Sequence, residues 1–153
     1  MPTGDRRTRA LVLLLRFAGC ITATAFLAIF LPVDWMAATH QRLGLGEFPR
    51  APIVDYLARS IAALYGFHGV LLLIVSRDPV RYRTIVSYVA AMNLLFGLTV
   101  LAIDLYAGLP MMWTLFEGPP ITAFGIVIAL LNRPAGAEPP TTSRVRYRAP
   151  GAG

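Results

Sequence analysis

Four apolar stretches constrain this chain more than any other feature, each near the ~20 residues needed to cross a bilayer core. They run from Leu11 to Leu31, from about Leu57 to Val75, from about Thr84 to Leu105 and from about Met111 to Leu131. Pro32, Pro79, Gly108 with Pro110, and Pro134 punctuate them. Of the 153 residues, 56% are hydrophobic and 14% charged, whereas a soluble domain averages about 25% charged. A disordered chain would need low hydrophobicity. A single soluble core of this size cannot hide so much apolar surface. The expected fold is therefore all-α, a four-helix transmembrane bundle over residues 1–133, with the lipid bilayer as its solvent. Residues 134–153, rich in Pro, Gly, Ala, Ser, Thr and Arg, read as a disordered basic tail that anionic headgroups would attract.

Orientation follows from arginine, since the chain has no Lys. The N-terminal segment, the loop between the second and third spans and the tail together hold eleven Arg and three acidic residues. The opposite side holds three Arg and five acidic residues. The positive-inside rule then places both termini in the cytoplasm. Sorted this way, the basic excess is a topology signal and not the footprint of a nucleic-acid binder. The use of Arg alone fits a GC-rich bacterial genome, and the expected location is the bacterial inner membrane.

Helix ends are legible in places. Asp78-Pro79 reads as an N-cap with Pro at the first helical position, and Asp55 as the N-cap of the second span. Gly108 and Pro110 close the third. In the first outer loop, Asp34 is placed to cap a short helix through Leu43, closed by Gly44. Trp35, Met36 and Leu43 would lie on the membrane surface, with His40, Gln41 and Arg42 towards water. Residues 47–52 should be extended. Phe17-Ala18-Gly19-Cys20 resembles a lipoprotein cleavage box, but the chain stays apolar after Cys20, so an uncleaved first span is the reading adopted. Asp34 to Glu47 and Asp104 to Glu117 share one spacing; chance is the leading explanation of so few matches, and a two-plus-two repeat the alternative.

One Cys rules out an intramolecular disulfide or a dithiol pair. His40 and His68 lack neighbours at metal-ligand spacing, so no metal and no cofactor is expected. Polar residues at bilayer depth are the remaining candidates for chemistry. The candidate ligand-binding residues are Arg59, His68, Asn93, Asp104 and Glu117. Glu117 precedes Gly118-Pro119-Pro120 inside the fourth apolar stretch. Two readings fit it: a broken helix with freed carbonyls, of the kind transporters use, or a helix that starts at Pro119 with Glu117 in the outer headgroup layer. Arg59 sits one turn into the second span, at the depth of Asp104 and Glu117, and could tie three helices together or bind a small anion there. Ala90, Asn93, Gly97, Val100 and Asp104 form a stripe at helical spacing on the third span. Arg59, Ala62, Gly66 and Gly69 form a comparable small face on the second, and both should face the bundle. His68 points away from Arg59. It is either a satisfied core histidine, for which a bond to Asn93 is one option, or part of a proton relay. Arg16 should snorkel to the headgroups.

The segment Arg59-Ser-Ile-Ala-Ala-Leu-Tyr65-Gly66-Phe-His-Gly69 resembles small bacterial four-helix membrane proteins of unknown function, the DoxX-like grouping. The resemblance covers the four-span layout and implies a helical bundle with no established activity. The Glu117-Gly-Pro-Pro turn has no counterpart in it. Small multidrug exporters also have four spans, but carry their key Glu in the middle of the first, where this chain has Arg16 and no carboxylate. Three functions are weighed. The first is a non-enzymatic accessory or assembly component with a membrane-protein partner or a second copy of itself. The second is a lipid or small-molecule binder with an outer pocket at Arg59, Asp104 and Glu117. The third is a quinone-linked or other membrane enzyme subunit.

Overall fold

A computed structural model describes residues 3–133; the expected tail from residue 134 lies outside the described residues. The chain forms α1 (Thr3–Ala23), a 3-10 run over Thr24–Phe30, α2 (Val33–Arg42), α3 (Pro52–Val75), α4 (Arg83–Ala107), α5 (Met111–Phe116) and α6 (Gly118–Leu131). None of the described residues is in a strand. Four helical runs are long and apolar enough to cross a membrane: Arg6–Phe30, Pro52–Val75, Arg83–Ala107 and Met111–Leu131. They support a multi-pass membrane protein. Their outward faces are apolar, with Phe17 and Leu64 both more than three-fifths exposed.

The spans pair as two antiparallel hairpins, and glycine sets how closely each hairpin closes. In the first, α1 and its 3-10 extension lie along α3. A methyl group added at Gly69 would come within 2.8 Å of the Gly19 carbonyl oxygen, so the two backbones already touch. Gly66 makes room for the Phe26 ring, which meets Phe67 edge-on at 5.1 Å. The turn from α-helix to 3-10 geometry coincides with two hydroxyls turned onto their own helix. Thr22 donates to the Ala18 carbonyl at 2.7 Å and Thr24 to that of Ile21 at 2.6 Å, a pattern that bends helices. In the second hairpin, α4 lies along α6. An added methyl at Gly97 would fall 2.7 Å from the Gly118 carbonyl oxygen, and one at Gly125 the same distance from that of Ala90.

The small-residue stripes therefore do face helices, but each faces its own hairpin mate. The α4 stripe meets α6 and the α3 face meets α1. Between hairpins, contact concentrates at one end. The buried apolar cluster consists of Leu11 and Leu15 from the start of α1, Leu72 and Val75 from the end of α3, Val86, Val89 and Ala90 from the start of α4, and Ile128 from the end of α6. All lie near the end that carries the start of α1, the 76–82 turn and Asn132. This is the arginine-rich end; α2 marks the other. Asn132 ties the arginine-rich end together. Its amide donates to the Arg83 carbonyl at 3.1 Å and to Ser87 Oγ at 2.9 Å, while Arg83 Nε donates back to the Asn132 carbonyl at 3.2 Å. Away from that cluster, α3 and α4 meet through the Tyr65 and Phe96 rings, 6.2 Å apart.

Three capping expectations change. Asp78 does not start a helix: it shapes a turn, accepting from the Arg81 amide at 3.0 Å, and α4 begins at Arg83. Pro79 fits such a turn as readily as a first helical residue. Asp55 is not the cap of α3, which starts at Pro52 after Ala51 and leaves Asp55 in its first turn. Asp34 lies inside the first turn of α2 and makes an exposed ion pair with Arg50 at 2.9 Å. That pair draws the extended 47–51 segment back towards the start of α2. His40 also turns inward, with Nδ1 donating to the Gly46 carbonyl at 3.2 Å and its ring edge-on to Phe48. Gly44 and Gly108 take the positive φ angles, 75° and 66°, that end α2 and α4.

Candidate functional site

The sequence places Arg59, Asp104 and Glu117 at one depth; the structure separates the arginine from the acids. Arg59 Nε donates to both Asp55 carboxylate oxygens, at 2.9 and 3.0 Å. Its two terminal nitrogens donate to the carbonyls of Ile29 and, at 3.2 Å, of Leu31. Those carbonyls close the first span, where helical geometry ends and no further amide follows to bond them. A half-buried guanidinium with a planar fork of donors is suited to that end, and Asp55 one turn earlier on α3 balances its charge. Arg59 is thus the C-terminal cap of the first span and joins α3 to it. It does not sit between Asp104 and Glu117, because a nearer carboxylate on its own helix claims it.

Asp104 is 3% exposed, on the last turns of α4. Its Oδ2 has no hydrogen-bond partner among the described residues. Glu117 stands where α5 stops and α6 starts, with φ −102° and ψ −76°. Pro119 and Pro120 lack the amides that would bond the carbonyls of Leu115 and Phe116, which breaks the helix here. The broken-helix reading of Glu117 fits the backbone, and a helix that starts only at Pro119 does not. The helix restarts at Gly118, one residue ahead of the prolines, and the short α5 precedes the break and keeps the whole run at Met111–Leu131. Asp104 and Tyr65 lie within electrostatic reach of Glu117.

A groove of about 580 Å³ opens beside the break. Leu43 from the end of α2 forms one side; Trp113, Phe116, Pro120 and Ile121 form the other. Among the described residues Glu117 is the one charged residue lining it. An apolar trough with a carboxylate at its edge can accept a hydrogen bond or a positive charge from an amphiphile whose hydrocarbon part lies along the trough.

His68 and Asn93 are not brought together by a bond between them. Asn93 donates to the Val89 carbonyl of its own helix at 2.8 Å. Among the described residues no three of His, Cys, Asp and Glu gather as a metal site would require. In the sequence, Asn132 and Arg133 stand out only by their place between the fourth span and Pro134. The structure makes Asn132 a buried link between the end of α6 and the start of α4. The signal was an amide side chain just after a span, followed by Arg-Pro. No family model matches the chain, and comparisons with curated proteins and with solved structures found no match.

Proposed function

We propose that the chain is a multi-pass protein of the bacterial inner membrane, with both termini cytoplasmic, that acts as a non-enzymatic accessory or assembly component beside another membrane protein or a second copy of itself. The DoxX-like likeness of the Arg59–Gly69 segment belongs to the same reading. One observation carries it: the shared apolar core is confined to the arginine-rich end. Beyond it the two hairpins meet through Tyr65 and Phe96. Helices that close in pairs through glycine, with a buried core shared between the pairs at one end only, leave faces that another transmembrane helix can fill. The test is a photo-crosslinker at Phe67 or Phe96, in native membranes, followed by native gels. A discrete adduct is the expected result, and monomer alone from both positions overturns the proposal.

A second reading rests on the groove at Glu117, a binding place for a lipid or small amphiphile. Arg59 has no part in that site, since all three of its nitrogens are engaged elsewhere. Glu117 is the acid that would serve it; buried Asp104 does not line the groove. Glu117→Gln should then abolish retention of the bound amphiphile through purification, and unchanged retention would remove this reading.

A further inference from the structure

A second depression, of about 180 Å³, lies at the arginine-rich end. Three arginines from three separate segments line it: Arg7 from α1, Arg83 from the start of α4 and Arg133 just after α6. Among the described residues no acidic one does. The acids nearest in sequence are Asp5, two residues before Arg7, and Asp78, which accepts from the Arg81 amide in the neighbouring turn. The site is braced from below. Buried Asn132 holds Arg83 through the reciprocal bonds described above, and Arg7 donates to the Leu130 carbonyl at 3.3 Å. Arg83 uses Nε for its bond, so its two terminal nitrogens are not part of it. Among the described residues Arg133 has no acidic partner.

Capping the last carbonyls of α6 accounts for one bond from each of two arginines. It does not account for three like charges gathered around a space several times the ~30 Å³ of a water. Like charges this close repel one another unless an anion sits among them. Leu11, Val80 and Leu131 form the apolar part of the wall, the mixed lining expected of a site at the level where headgroup meets hydrocarbon. We propose that this depression binds a phosphate group, with guanidinium forks as its ligands. The apolar wall favours the phosphate of an anionic phospholipid headgroup over a free ion. The proposal is independent of the accessory role and of which leaflet the site faces.

The test is native mass spectrometry of the full chain in detergent, with phosphatidylglycerol or phosphatidylcholine added. Wild type should hold one phosphatidylglycerol about tenfold more tightly than phosphatidylcholine. Arg83→Gln with Arg133→Gln should remove that preference. Arg6→Gln with Arg77→Gln removes equal charge outside the depression and should change affinity less than about twofold. If the Arg83 variant does not fold, Arg133→Gln alone serves, with a loss of about threefold or more expected. Inorganic phosphate at millimolar concentration separates the sources. Failure to displace the lipid identifies a headgroup site, and displacement identifies a soluble phosphate ligand. Equal binding of the two lipids, or equal loss in the Arg6/Arg77 variant, overturns the proposal.

Discussion

Gly97 and Gly108 belong to one helix and its cap, yet a methyl group fails at each for a different reason. At Gly97 it would meet the backbone of α6 at 2.7 Å or less, and backbone cannot yield as a side chain can. At Gly108 it would meet nothing within 4 Å, but φ is +66°. Gly97→Ala should therefore cost about 1–3 kcal/mol by forcing α4 and α6 apart. Gly108→Ala should cost about 1 kcal/mol, through left-handed strain alone. Thermal unfolding in micelles measures both, and crosslinking across the α4–α6 seam should change only for Gly97→Ala. Asp104 makes the opposite prediction. Its carboxyl group is buried with Oδ2 unpartnered among the described residues, and an unpartnered buried oxygen costs stability that an amide, able to donate, recovers. Asp104→Asn should raise the melting temperature by about 2–4 °C in ligand-free micelles, for a gain of about 1 kcal/mol. A lower melting temperature would show that a cation or ordered water partners the carboxylate.

At the scale of elements, the sequence carried the spans and the identity of their small faces, because helical periodicity is local. It did not carry which helix each face meets, because that depends on how hairpins close. The α4 stripe from Ala90 to Asp104 reads the same whether α3 or α6 lies against it; Gly118 and Gly125 on α6 decide the matter by letting backbones touch. Arg59 misled for another reason. A residue at the depth of two acids suggests a tertiary pair, but Asp55 lies four positions earlier, the spacing at which helix neighbours meet. The candidate site was legible in part, since Glu117-Gly-Pro-Pro announced a break but could not say that a helical turn precedes it. The break is itself testable. Restoring both amides with Pro119→Ala and Pro120→Ala gives the carbonyls of Leu115 and Phe116 their donors. α5 and α6 should merge into one helix, the new amide at 120 should exchange about tenfold or more slowly with deuterium than a frayed helix start, and the groove beside Glu117 should narrow. Fast exchange at 120 would mean that tertiary contacts, not the missing donors, hold the break open.

For the whole molecule, the decisive feature is that the hairpins are joined at one end. Leu15 and Ile128 are both 0% exposed in the shared cluster, whereas Leu64 on α3 is 70% exposed and faces outward. In lipid, truncating a leucine loses packing but little transfer energy, since the surrounding chains are as apolar as the side chain removed. Leu15→Ala should thus cost about 1–3 kcal/mol, below the ~2–5 typical of a water-soluble core, and Leu64→Ala about 0.5 kcal/mol or less. The larger consequence is geometric. The Leu15 side chain belongs to the cluster that fixes the angle between hairpins, so Leu15→Ala should broaden the distance distribution between spin labels at Phe67 and Phe96, while Leu64→Ala should leave it unchanged. If both variants broadened it equally, the join would not lie at the arginine-rich end, and the case for a partner seated at the opposite end would lose its footing.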